Sequence, residues 1–222
     1  MNIEGTLDAV AGCALPPELK NYLDRFIRRE GDSLLRRALK ADPARVLKNI
    51  ESLLSSAAGA LGLPAGKVLS VTGFDYNNFT RDRLEAALAE LRVVDLLARE
   101  GFSDIKVLPT GASRSADIAA SLGGDVFAFE VRCVKALPAG DVEGFLKDLY
   151  LKKIKQARVS VKKKNARRAG VFIVVDPAGL AAAPAGPLRE LAGLVYKSIG
   201  QPAGEHVCLV SGGAAAFHPP FR

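Results

Sequence analysis

The fold class this sequence predicts is an α/β domain with a mixed sheet flanked by helices, preceded by an N-terminal helical region. Three observations lead there. Up to about residue 73, apolar residues recur at helical spacing and no run has strand character. From Thr80 onward, short β-type runs alternate with helical stretches. The first three of those runs follow one another with no helix between them, and the later ones are separated by helices. A sheet built this way combines an antiparallel meander with a right-handed crossover returning to it.

The elements follow in order. Pro16-Pro17 opens a helix through Arg29, and Asp42-Pro43 supplies an N-cap and a first-turn proline for Ala44 to Leu61, where Val46, Leu47, Ile50, Leu53, Leu54 and Ala57 share a face. Gly62, Pro64, Gly66 and Gly73 punctuate the stretch that separates a helical region, residues 1–73, from an α/β domain, residues 74–222. Asp82 to Arg99 is the next helix, with Leu84, Leu88, Leu91, Val94 and Leu97 on one face and Gly101 as its stop. Strand-like runs cover Ile105 to Leu108, Ala116 to Leu122 and Val126 to Val134. A long helix over Val142 to Arg168 follows, then a strand at Val171 to Val175, a helix at Leu188 to Ile199 and a last strand at His206 to Val210.

Composition narrows the function classes. At 222 residues, 49% of them hydrophobic, the chain is long enough to bury a sizeable core. No apolar run approaches the roughly 20 residues that span a bilayer, and the N-terminus lacks the pattern of a secretory signal, so a cytoplasmic protein with no membrane partner is expected. Cys13, Cys133 and Cys208 are widely separated and odd in number, which fits reduced thiols. With only His206 and His218, the chain has little material for a histidine-cysteine zinc site or a Ser/His/Asp triad. A metal would have to be held by oxygen.

The formal charge of +7 is concentrated. Between Asp141 and Gly170 stand ten Lys or Arg residues against three acids, an excess equal to that of the whole chain. A basic stripe of this kind suits phosphates, and nucleic acid, DNA before RNA, is the expected partner; a solvated helix face is the alternative. Lys152, Lys153, Lys155, Arg158, Lys162, Lys163 and Lys164 are its candidate contacts.

The register of the second and third strands points to chemistry. Gly123-Gly124 is a favoured two-residue turn, since both positions take positive φ at little cost. That loop pairs Leu122 with Asp125 and, five steps outward, Asp117 with Glu130. Ile118, Ala120, Leu122, Phe127, Phe129, Val131 and Cys133 then form one face. Asp117, Ala119, Ser121, Ala128, Glu130 and Arg132 form the other. Two facing carboxylates destabilise a sheet unless something compensates. A Mg²⁺ or Mn²⁺ ion would do so, and Arg132 on the same face is the other candidate.

These residues resemble a known signature. Asp117, the hairpin and Phe129-Glu130-Val131-Arg132 are similar to the PD-(D/E)XK nuclease motif, an acid followed by a strand bearing (D/E)-x-K. The helix ending in Glu100-Gly101-Phe102 resembles the one that supplies a further acid in that superfamily. Lys155-Gln156-Ala157 is similar to the glutamine motif of archaeal-resolvase-like and Mrr-like members. The resemblance covers about Thr80 to Asp176 and implies a restriction-endonuclease-like αβββαβ core with metal-dependent hydrolysis of DNA or RNA.

It further implies that Asp117 and Glu130 are metal ligands, with the backbone carbonyl of Val131 as a third. Glu90, about three turns before Gly101, is the expected helix acid. Glu85 follows Asp82 by three residues and reads as a capping-box partner. Gln156 would stand beside the carboxylates. Arg132 departs from the family's lysine and, remaining protonated, suits a charge clamp better than a base. Lys152 or Lys153, one helical turn before Gln156, could supply the ammonium instead. Alternation points Lys135 away from Glu130.

A metal-dependent endonuclease, with a homodimer among the forms it could take, is therefore the leading expectation. The alternative is a catalytically inactive nuclease-fold module that binds nucleic acid. A small-molecule α/β enzyme is less supported, because the sequence has neither GxGxxG nor GxxxxGK[ST].

Overall fold

The structure is a computed structural model that describes residues 3–29, 33–80, 82–108, 116–164, 166–175 and 185–221. Its helices are α1 (Ile3–Gly12), α2 (Pro17–Arg28), α3 (Leu34–Ala41), α4 (Pro43–Leu61), α5 (Ala65–Val68), α6 (Arg83–Arg99), α7 (Val142–Lys164) and α8 (Ala185–Ser198), with a 3-10 turn at Ser70–Thr72. The strands are β1 (Ser103–Val107), β2 (Ile118–Leu122), β3 (Asp125–Val134), β4 (Arg168–Val175), β5 (Glu205–Ser211) and β6 (Ala214–His218).

Local rules account for most boundaries. Pro17 and Pro43 occupy the first turns of α2 and α4, where the missing N–H has no partner to lose. The Asp42 carboxylate accepts from Arg45 N at 3.1 Å, and α4 stops at Gly62 in a left-handed conformation with φ 64°. The entry to α6 departs from the expected capping box. Asp82 is left-handed at φ 68° and makes no side-chain cap; its carboxylate pairs instead with Lys135 Nζ at 2.7 Å. Glu85, freed of the capping role, is buried.

The six strands form one sheet in chain order, β1 to β6. Strands β1, β2 and β3 are antiparallel neighbours, β3–β4 and β4–β5 are parallel pairs returned by α7 and α8, and β5–β6 is antiparallel. The sheet is therefore mixed. Gly123 and Gly124 take φ 58° and 86°, which closes a two-residue hairpin and pairs Leu122 with Asp125. Strand β6 was not expected from the sequence, because Ala214-Ala215-Ala216 carries little β propensity and its pairing with β5 is what makes it a strand.

Strand alternation divides the apolar residues between two cores. Phe127, Phe129, Phe172, Val174, Cys208 and Val210 face the helices that precede the sheet, in one cluster that also contains Leu19, Ile50 and Leu88. Val171, Ile173, Val207 and Leu209 face α7 and α8, against Leu146, Tyr150, Ile154, Ala192 and Val195. The sheet is thus the middle layer of three. The first cluster runs without a break across residues 73 and 74, where the sequence suggested a boundary, so α4 packs against α6 and against β1.

One consequence matters for the site. On the small and acidic face of the β2–β3 hairpin, α7 packs against β3 and leaves Glu130 fully buried, while Arg132 stays exposed. All three cysteines are free thiols. Among the described residues, no single helix is long and apolar enough to cross a membrane.

Candidate functional site

The hairpin and its neighbours fix Asp117 from three sides. Its N–H donates to Phe129 O at 2.9 Å, and its carbonyl accepts from Leu108 N at 2.8 Å. Just before it, Ala116 N donates to Ser160 Oγ on α7. With the backbone held between the end of β1 and the middle of β3, the side chain turns toward β3, where Asp117 Oδ2 accepts from Val131 N at 2.8 Å.

Glu130 follows from the same register and points beneath α7. Its Oε2 accepts from Lys153 Nζ at 3.1 Å, and Lys153 also donates to Gln156 Oε1 at 3.0 Å. Lys153 and Gln156 are three residues apart on α7, a spacing that puts both on one face. The other carboxylate oxygen of Glu130, Oε1, is buried and has no hydrogen-bond partner among the described residues. An unpaired oxygen is costly in a buried anion and marks a place where a donor or cation would be stabilised.

Glu90 approaches from α6 on the wall of a cleft of about 600 Å³, which Arg83, Val131, Arg132, Phe145 and Leu149 also line. The three carboxylates perturb one another. Burial, then the charges of Asp117 and Glu130, push Glu90 up to about 8 against the opposing pull of Arg83 and Lys153. Burial and then Asp117 push Glu130 up to about 7, although Lys153 pulls it down. Burial raises Asp117 as well, opposed by the Val131 N–H and Lys153. Near neutral pH the cluster therefore holds protons that isolated carboxylates would have released.

Hard oxygen donors, one of them orphaned, are the donor chemistry that a divalent cation such as Mg²⁺ or Mn²⁺ takes. Among the described residues, however, no three His, Cys, Asp or Glu side chains are gathered in an arrangement that could hold a metal ion. The carboxylates are close enough to repel but not assembled as a ligand cage.

The other residues singled out in the sequence divide into groups. Arg132 is exposed on the cleft wall, and the cation that compensates Glu130 is Lys153. Val131 lines the cleft and contributes its N–H to Asp117. Lys152 and Lys155 are exposed and, with Gln156 and Val159, line a shallow groove of about 400 Å³ on α7. Arg158 is exposed but committed: its guanidinium bonds both carboxylate oxygens of Glu205 on β5, Nη2 at 3.1 Å from Oε2, and the buried Tyr150 hydroxyl donates to the same oxygen at 2.8 Å. Lys162, Lys163 and Lys164 belong to α7, but their side chains lie outside the described residues.

Sequence reasoning missed Glu205 and Ser160, whose partners lie 47 and 44 residues away in the chain. It also misread Glu85. No signal short of the tertiary pairing points to the first two. No protein family, curated protein or solved structure matches this chain.

Proposed function

We propose that this chain is a metal-dependent nuclease with a restriction-endonuclease-like core, hydrolysing phosphodiester bonds in nucleic acid, DNA before RNA. The observation that carries the reading is the convergence of Glu90, Asp117 and Glu130, from α6, the start of β2 and β3, on one ammonium, that of Lys153. The succession α6, β1, β2, β3, α7, β4 supports the core assignment, since it has the αβββαβ order.

Asp117 and Glu130 are the side chains that would hold Mg²⁺ or Mn²⁺, with Glu90 as the neighbouring helix acid. When bound, such an ion activates water and neutralises charge on the phosphate. The remaining work belongs to the protein. Lys153 uses two of its three N–H donors on Glu130 and Gln156, which leaves one for a phosphate oxygen and fixes the direction in which it points. Gln156 holds that ammonium in place. Arg132, exposed on the cleft wall, is a charge clamp for substrate. Lys152 and Lys155 extend the positive surface along α7 toward the groove beside Gln156.

A second reading, a nuclease-fold module that binds nucleic acid without cutting it, is favoured by one observation: the carboxylates of the described residues are not gathered in ligand geometry. The deciding experiment is a cleavage assay on mixed DNA and RNA substrates with Mg²⁺ or Mn²⁺, comparing the intact chain with Asp117→Ala. Metal-dependent cleavage lost in the variant supports the nuclease. Binding without cleavage in either protein leaves the module.

A further inference from the structure

The sheet face that carries Asp117 and Glu130 continues past them toward the β2–β3 hairpin. Antiparallel partners share a face, so the pairs Lys106–Ala119 and Ala119–Ala128 set Lys106, Ala119 and Ala128 in one row, two residues along β2 and β3 from Asp117 and Glu130. Ser121 lies two residues further along β2 on the same face. Helix α7 packs on β3 and β4, and beside it the β1–β2 end of this face holds a cavity of about 480 Å³, lined by Lys106, Leu108, Ala119, Ser121, Val126 and Ala128.

Two uncommitted donors face this cavity. Lys106 is exposed and has no ion-pair partner among the described residues, in contrast to Lys135 and Lys153, which pair with Asp82 and Glu130. The half-buried Ser121 hydroxyl has no hydrogen-bond partner among the described residues either. Lys106 stands diagonally across the strand pair from Asp117, at a Cβ separation of about 7–8 Å that a long side chain spans. An ammonium and a hydroxyl are donor types that hold phosphate oxygens without reading bases. The alanines between them leave a chain room to lie close to the sheet. Asp104 lines the same cavity, and its carboxylate opposes an anion there.

We propose that this shelf seats the sugar-phosphate backbone beside the scissile position, with the Lys106 ammonium and the Ser121 hydroxyl donating to its phosphate oxygens. The assignment rests on the nuclease reading and adds a second backbone contact to it. A strand cut at the carboxylates must leave them in two directions; Lys152 and Lys155 on α7 serve one, and the shelf on β1 and β2 serves the other. Lys106 and Ser121 are positioning residues, acting on substrate away from the reacting atoms.

The test measures equilibrium binding of a fluorescent DNA oligonucleotide, single-stranded and as a duplex, to the intact chain in EDTA, and single-turnover cleavage of the same DNA in Mg²⁺. Lys106→Gln is expected to weaken binding about two- to fivefold, the scale of one exposed ion contact. It should also reduce the slope of log affinity against log salt by about 0.7–0.9, and raise the protein concentration that gives half-maximal cleavage while leaving the maximal rate unchanged. Lys106→Arg should restore all three. Ser121→Ala should weaken binding without changing the slope, since a hydroxyl releases no counterion. Ala119→Leu, which fills the floor of the shelf, should weaken binding more than either, with thermal melts showing that it folds. Asp104→Asn should tighten binding. Lys197→Gln, at an exposed position on α8, is the control for overall charge.

If Lys106→Gln keeps the parental affinity and salt slope while Asp117→Ala abolishes cleavage, the shelf is overturned and the nuclease stands. An equal effect from Lys197→Gln assigns the loss to net charge and also overturns the shelf. Binding that depends on Lys106 in a protein that never cuts removes the nuclease and retains the shelf as the contact of a binding module. No binding by the parent, at low salt as well as high, removes both readings together.

Discussion

Lys153 Nζ lies 3.1 Å from Glu130 Oε2 and 3.0 Å from Gln156 Oε1, so one ammonium from α7 joins a carboxylate on β3 to an amide on its own helix. In the proposed nuclease reading Arg132 stands where the motif carries lysine, and it faces solvent on the cleft wall. That reading assigns the cation's role to the helix instead of the strand.

This relocation makes the first prediction. Lys153→Met is expected to lower the single-turnover cleavage rate by about 10²–10³-fold, the usual scale for losing one preorganised donor to a developing charge. Arg132→Lys is expected to stay within a few-fold of the parent. A loss at Arg132→Lys equal to that at Lys153→Met would return the role to the strand.

Stability in metal-free buffer is expected to fall as pH rises. Glu90 and Glu130 have an ordinary value of 4.5 and are raised to about 8 and about 7 in the fold. The native state therefore binds more protons than the unfolded chain between pH 4.5 and 8, and its stability declines across that window. Thermal melts in EDTA should show a higher midpoint at about pH 5.5 than at about pH 8. Glu90→Gln, which is neutral at every pH, should flatten the upper part of the curve.

Metal binding near neutral pH is expected to expel protons from the same groups. Calorimetry with Mg²⁺ or Mn²⁺ in buffers of different ionisation enthalpy should report roughly one proton released per ion, because a ligand carboxylate must be ionised. Affinity should rise from about pH 6 to about pH 8. Asp117→Asn and Glu130→Gln should each abolish the binding heat and, with like charges relieved, raise the melting temperature in EDTA.

The basic face of α7 divides into the exposed Lys152 and Lys155, which the proposed function assigns to phosphates, and Arg158, which is committed to Glu205. Replacing Lys152 and Lys155 together by Gln should reduce the slope of log affinity against log salt by about 1.4–1.8, at roughly 0.7–0.9 for each phosphate no longer neutralised. Replacing Lys162, Lys163 and Lys164 tests the far end of the helix in the same way. Arg158→Gln should change the slope little, since its guanidinium is taken by Glu205. Tyr150→Phe, which removes the other donor to Glu205, should cost about 1–2 kcal/mol by chemical denaturation with little effect on binding.

The hairpin was the most legible part of the chain because its determinants are local. Two glycines with positive φ set the loop, and a period of two then sets every side chain outward from it. The pairing of Lys153 with Gln156 is also local, a matter of helical spacing. What escaped depends on chain that returns from far away. Strand β6 exists because β5 is beside it, and Arg158 reads as a phosphate ligand until Glu205 on β5 is seen to occupy it. Glu85 was misjudged for another reason: the capping rule assumes an extended backbone before the helix, and Asp82 is left-handed.

Strand order following chain order has a consequence for kinetics. The β2–β3 hairpin is a short-range unit that brings Asp117 against the middle of β3. The ammonium of Lys153 arrives only when α7 docks. The same docking buries Glu130, so its burial and its counter-charge arrive together, and a proton on the carboxylate lowers the cost of that step. Refolding should accelerate as pH falls from about 8 to about 6, with the folding limb of the chevron carrying most of the pH dependence and the unfolding limb little. Glu130→Gln should remove that acceleration, which identifies the buried carboxylate as its origin.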